Sequence, residues 1–168
     1  GVTYDKTVIK VKVKVEDVGG KLTATLTEDS KPIAFTNKYE AAGEITFAGT
    51  KTIEGRALTA NDAFTFEIKE GEDVIGTATN DASGKIAYPT IKYTQKDQGD
   101  HTYTVKETST DGNGITVDTR TYTVKVNVAD NGDGTLSVTA DNNTNALNFK
   151  NTYKAAGEIT FAGTKTIE

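Results

Sequence analysis

Three polar side chains stand where the surrounding pattern calls for apolar ones, and together they could make a covalent bond. In Leu147-Asn148-Phe149-Lys150-Asn151-Thr152-Tyr153, strand alternation puts Leu147, Phe149, Asn151 and Tyr153 on one face. Asn151 then lies between two aromatics on a core-facing row, where a carboxamide is costly unless something engages it. In the strand read at Glu44–Ile53, the row Ile45, Phe47, Gly49 continues to Lys51. In Thr102–Thr108, the row Tyr103, Val105 continues to Glu107. Lys12, Lys14 and Lys125, by contrast, fall on the opposite phase from their valines, as solvated lysines do.

An amine, an acid and an amide thus project inward from three different strands. Burial lowers the pKa of an amine and raises that of a carboxyl, because both charged forms lose hydration. A neutral amine is a nucleophile. A protonated carboxyl can hydrogen-bond a carboxamide oxygen and move a proton. Lys51 could attack the side-chain carbonyl carbon of Asn151 and expel ammonia, with Glu107 as catalyst and the fold supplying proximity. The product would be a Lys–Asn isopeptide bond. The same residues could instead form a buried Lys51–Glu107 ion pair with Asn151 as hydrogen-bond partner, and strand phase alone leaves both readings open.

The elements that must position these groups read almost entirely as strand. After Glu44–Ile53 and a loop at Gly55–Ala63 come Phe64–Ile68, Val74–Thr79 and Lys85–Tyr88, the last leading through Pro89 to Ile91–Thr94. Gln95–Asp100 is polar and turn-like; Thr102–Thr108, Thr116–Val128, Thr135–Ala140 and Ala146–Tyr153 complete the set. No stretch has a helical period. Many short strands separated by turn signals predict an all-β sandwich.

The 168 residues carry a net charge of −5, which argues against nucleic acid and anionic membrane surfaces as partners. No apolar run approaches a membrane span and no signal peptide is evident, so a soluble chain without membrane insertion is expected. The absence of cysteine excludes disulfides, zinc–thiolate sites and thiol catalysis. The acidic turn Asp130–Thr135 has Gly132 where a calcium loop needs a ligand and lacks the late glutamate, so it reads as a hairpin turn. A lone histidine, His101, is a poor catalyst, and neither metal nor cofactor is expected.

Residues 41–54 and 155–168 are the same fourteen-residue sequence, AAGEITFAGTKTIE, at an offset of 114. At that offset Phe35-Thr36-Asn37-Lys38-Tyr39 matches Phe149–Tyr153; at an offset one shorter Val11–Val15 matches Val124–Val128, and Gly1 falls on Gly114. This spacing is right for tandem domains. Residues 1–39 read as the C-terminal strands of a preceding repeat, 40–153 as one complete repeat, and 154–168 as the first strand of a following one. Asn37 and Lys165 are then repeat equivalents of Asn151 and Lys51. Neither flank carries a counterpart of Glu107, so they are expected to stay unlinked.

The middle unit resembles the streptococcal-type pilin isopeptide-linkage domain of Gram-positive pilins and adhesins. The matching pieces run in order: Ile45-Thr46-Phe47 through Gly49-Thr50-Lys51, Phe64–Ile68, Tyr88–Thr94, Tyr103–Glu107, Tyr122–Val126, the Asp130–Thr135 hairpin, and Phe149-Lys150-Asn151. Gly1-Val2-Thr3-Tyr4-Asp5 also resembles a strand-opening segment of that family. The resemblance implies an immunoglobulin-like (CnaB-type) β-sandwich with neighbouring first and last strands. It implies a self-formed bond joining Lys51 to Asn151, with Glu107 as the buried catalyst, and an extracellular, cell-surface location. No Leu-Pro-x-Thr-Gly signal is present, and Tyr88-Pro89 is followed by Thr90 rather than lysine. A stalk module that contacts neighbouring copies of the same repeat therefore fits better than a single-subunit major pilin. The rival is an adhesive domain binding a host protein or glycan through Gly55–Ala63 and Gln95–Asp100. No credible set for turnover of an external substrate is present, so the chain is not expected to be an enzyme.

Overall fold

The computed structural model describes residues 1–28, 32–141 and 146–168. The described residues form fourteen strands: β1 (Val2–Thr3), β2 (Val13–Asp17), β3 (Leu22–Leu26), β4 (Lys38–Tyr39), β5 (Ala42–Thr46), β6 (Lys51–Glu54), β7 (Thr65–Glu70), β8 (Asp73–Thr79), β9 (Thr90–Thr94), β10 (Gly99–Glu107), β11 (Ile115–Thr116), β12 (Thr121–Asp130), β13 (Leu136–Ala140) and β14 (Phe149–Tyr153). One 3-10 turn, Gln95–Asp97, is the sole helical element among the described residues. The chain is an all-β sandwich, as its alternation predicts.

One layer is an antiparallel five-stranded sheet in the order β13-β12-β10-β7-β8. The other consists of β11-β14-β6 and the β5-β9 pair. β14 and β6 run parallel, with Phe149 opposite Lys51 and Asn151 opposite Ile53. The closing strand therefore lies beside the opening one. Strand rows rich in Val, Ile, Tyr and Phe put every second side chain inward. Phe66, Ile68, Tyr103, Val105, Val124 and Val126 from the five-stranded sheet share one core with Phe47, Tyr93, Leu147 and Phe149. Rings bridge the layers: Phe66 and Phe149 stand 5.0 Å apart between centroids, Phe47 and Tyr103 5.7 Å. Each such buried side chain contributes about 1.5–3 kcal/mol.

Lys85–Tyr88 forms only isolated bridges, Thr50 to Lys85 and Asn80 to Ile86, instead of a strand, and three further elements differ from the sequence reading. The strand over Glu44–Ile53 is divided, because β5 pairs with β9 whereas β6 pairs with β14; the in-out alternation nevertheless runs unbroken through Phe47 and Gly49 to Lys51. Gly99 and Asp100 open β10 instead of extending the preceding turn. Thr116–Val128 is interrupted between β11 and β12, where residues 117–120 turn over the end of the site.

The flanks are more open. β2 and β3 form a hairpin exposed along its length, and β1 pairs with β4. Residues 155–168 form no strand although 41–54, of identical sequence, supply β5 and β6. The difference is contextual: a strand needs a neighbouring ladder and a core to cover its apolar face.

Candidate functional site

Lys51, Glu107 and Asn151 meet in the interior. They come from β6, β10 and β14, so both layers of the sandwich contribute. Lys51 and Asn151 are 1% and 0% exposed, and the Lys51 and Glu107 side chains are wholly covered. Lys51 Nζ donates to Glu107 Oε2 at 2.6 Å and also to Asn151 Oδ1. Asn151 Nδ2 donates to Glu107 Oε1 at 2.9 Å. The carboxyl group thus spans the amine and the amide nitrogen, one oxygen to each. The Asn151 carbonyl carbon lies a single bond, ~1.2 Å, from an oxygen already in contact with Nζ.

The walls are apolar. The Phe64 ring centroid is 4.8 Å from Lys51 Nζ and that of Phe66 is 5.9 Å. Phe149 packs edge-on against Tyr122 at 5.1 Å. Burial pushes the Lys51 amine below the usual lysine value, against the opposing pull of Glu107 and Asp118. A lowered amine pKa enlarges the fraction carrying a free lone pair.

Close backbone approach sets the register. Leu147 N–H donates to Ala48 O at 3.4 Å and Phe149 N–H to Thr50 O at 2.9 Å, drawing the last strand onto the β5–β6 break. A side chain at Gly49 would run into the Leu147 carbonyl. On the other side Lys51 N–H donates to Gly84 O at 2.7 Å; Gly84 has φ +89° and faces the Lys51 carbonyl, so it needs glycine on both counts.

The structure also brings in two residues that alternation did not select. Asp118, in the turn between β11 and β12, donates its backbone N–H to Asn151 Oδ1 at 2.7 Å. Its side chain, 6% exposed, accepts from Lys150 N–H at 2.7 Å and from Arg120 Nη2 at 2.5 Å. Burial raises the Asp118 carboxyl, but the Arg120 side chain and the Lys150 and Arg120 backbone amides outweigh it and hold the group at about 2. A sequence signal existed: Gly114-Ile115-Thr116-Val117-Asp118 parallels Gly1-Val2-Thr3-Tyr4-Asp5.

The flanking equivalents are placed separately. Asn37 Oδ1 accepts from Asp5 N–H at 3.0 Å, and Lys165 lies on the exposed final segment. The hairpin at Asp130–Thr135 uses its acidic oxygens locally: Asp130 Oδ1 accepts from Gly132 N–H and from Tyr39 Oη, and Asp133 Oδ1 accepts from Thr135. His101 bridges Glu70 Oε1 at 2.7 Å and the Asp97 carbonyl at 2.8 Å. No described helix is long and apolar enough to cross a membrane.

Comparison with protein families gives a match to FctA, the Spy0128-like isopeptide containing domain, over residues 1–40 and 47–154. No curated protein matches the chain. The family match takes in most of the sequence, and the chain belongs to the FctA family of isopeptide-containing domains.

Proposed function

From its membership of an isopeptide-containing family, we propose that the chain is a load-bearing stalk module of a Gram-positive surface fibre, locked by a bond it makes itself between Lys51 and Asn151. The observation that carries this reading is the placement of Glu107, with one oxygen on the attacking amine and the other on the amide nitrogen that must leave. A proton passes from the Lys51 ammonium to Glu107. The Nζ lone pair then attacks the Asn151 carbonyl carbon. Glu107 returns the proton to Nδ2, the C–N bond breaks, and ammonia departs. The attacking nitrogen, now bonded to carbon, gives up its surplus proton to Glu107. Atoms balance without any other reactant: amine plus primary amide gives secondary amide plus ammonia. Each chain reacts once, so this is maturation and not turnover.

The mechanical consequence follows from topology. Lys51 lies at the start of β6 and Asn151 in the parallel neighbour β14, so tension entering near residue 40 leaves near residue 153 through the cross-link. Residues 1–39 and 154–168 are parts of adjoining repeats in this reading, and the fibre is the partner. The fibre would be displayed outside the cell. An adhesive role through Gly55–Ala63 has less support, since Arg56 and Asp62 there are held to each other by paired contacts of 2.7 Å and neither that loop nor Gln95–Asp100 contains an aromatic.

Single-molecule pulling across the chain tests the function. The segment spanning the separation of 100 positions from Lys51 to Asn151 should contribute no unfolding extension in the wild type, and Glu107→Ala should release ~330–360 Å of contour. A wild-type trace showing that extension would sink the stalk reading.

A further inference from the structure

We propose that the turn at Asp118 is an oxyanion-stabilising element for amide-bond formation: its backbone N–H receives the negative charge that develops on Asn151 Oδ1, and its carboxylate is the positioning group that aims that N–H. The inference rests on the cross-linking reading given above and adds a component to it.

The geometry is direct. Asp118 N–H lies 2.7 Å from Asn151 Oδ1, in the range where a fixed donor meets a developing oxyanion. When the Lys51 lone pair adds to the carbonyl carbon, the C=O π electrons move onto Oδ1. Collapse re-forms C=O, breaks the C–Nδ2 bond and releases ammonia. The donor is held at both ends. Asp118 Oδ2 accepts from Lys150 N–H, one residue before Asn151, and the carboxylate is in turn fixed by Arg120, whose Nη2 also donates to Asn148 O at 2.9 Å. One aspartate therefore grips the closing strand by its backbone and the reacting carboxamide by its oxygen.

The same device is built a second time in the first forty residues. Asp5 N–H donates to Asn37 Oδ1 at 3.0 Å, matching Asp118 on Asn151. Thr36 N–H donates to Asp5 Oδ2 at 3.0 Å, matching Lys150 on Asp118. Thr7 N–H donates to Asp5 Oδ1 at 2.8 Å, matching Arg120 N–H on Asp118 at 3.0 Å. These contacts form within residues 1–40 with neither Lys51 nor Glu107 taking part, so the donor is set by the aspartate turn itself, as preorganisation requires.

Charge and placement predict opposite effects, which makes the inference testable. The negative Asp118 side chain favours the ammonium form of Lys51, so removing it for electrostatic reasons alone would free the amine and speed the reaction. Removing it as a positioning group slows the reaction. The experiment is cell-free synthesis of the full chain, acid-quenched at intervals, with the linked fraction read by intact mass and folding followed by circular dichroism. The arms are wild type, Asp118→Ala, Asp118→Asn, and a chain whose residue 118 is the α-hydroxy analogue of aspartate, which replaces the N–H by an ester oxygen and keeps the side chain. The ester chain should link about 10²–10³-fold more slowly than wild type. Asp118→Ala should fold yet link at least ~10-fold more slowly, with Asp118→Asn between the two. An ester chain that links at the wild-type rate overturns the proposal, as does a folded Asp118→Ala chain that links as fast or faster. If Asp118→Ala does not fold, the ester chain decides alone. A wild-type chain that never loses ammonia refutes the underlying cross-linking reading, a result distinct from unequal rates among linking chains.

Discussion

Replacing Asn151 by alanine removes the proposed cross-link while leaving the Lys51–Glu107 ion pair at 2.6 Å in place. The bond would close a loop across a sequence separation of 100 residues, and such a loop contributes about 4.7 kcal/mol in the chain-entropy treatment. The substitution also strips Asp118 N–H and Glu107 Oε1 of their contacts with the carboxamide, a further cost of about 1–3 kcal/mol. The combined loss is roughly 6–8 kcal/mol. For a unit of this size each kcal/mol moves the midpoint by roughly 4 °C. Scanning calorimetry should therefore show Asn151→Ala melting some 25–30 °C below wild type. A fall of less than ~12 °C would match the hydrogen bonds alone, and would refute the claim that a covalent link stands behind them.

Glu107→Gln should fold, because the carboxamide can still meet Lys51 and Asn151, yet remain unlinked; a branched Lys51–Asn151 peptide in its tryptic digest would contradict the proton-relay role. Gly49→Ala should cost about 3 kcal/mol and slow linkage, since the new methyl group meets the Leu147 carbonyl that sets the β6–β14 register; a normal urea midpoint would show that the approach is looser than it looks. Asp118 is held at about 2 against an ordinary 3.8, so the unfolded chain takes up its proton first as pH falls. Its contribution, at most about 2 kcal/mol and reduced by water around Arg120, is complete above about pH 4 and lost towards pH 2. The urea-midpoint gap between Glu107→Gln and Glu107→Gln/Asp118→Asn should shrink over that window, and a constant gap would contradict this. For His101, burial alone would lower the pKa, but the Asp97 carbonyl and Glu70 carboxylate raise it on balance. Its contribution is present below about pH 6.5 and fades as pH rises through the raised folded value, so His101→Gln should be costlier at pH 5.5 than at pH 8.5.

The Lys51–Glu107–Asn151 cluster was legible because strand period is strict. Asn151, Lys51 and Glu107 violate a rule that Lys12, Lys14 and Lys125 obey, and parity survives even where the strand changes sheets at Phe47–Thr50. Asp118 escaped the same logic. It meets Asn151 through a backbone N–H in a turn, and side-chain alternation carries no information about backbone donors; the run Thr116–Val128 looks continuous because apolar phase resumes after the turn. Only the recurrence of Gly-x-Thr-x-Asp at positions 1–5 and 114–118 pointed to it. The sandwich class followed from strand spacing, whereas the apposition of β6 and β14 came only from the family resemblance, and their parallel sense only from the structure, since pairing between residues a hundred apart leaves no local signature. Residues 41–54 and 155–168 show the limit of local reading: one sequence, strands in one place and none in the other.

The bond itself is tested most directly by the intact mass of the purified wild-type chain. We expect a value lower than that of the sequence by one ammonia, and the full sequence mass in Lys51→Ala. A folded wild-type chain at full sequence mass would mean that Lys51, Glu107 and Asn151 meet only as an ion pair and a hydrogen bond.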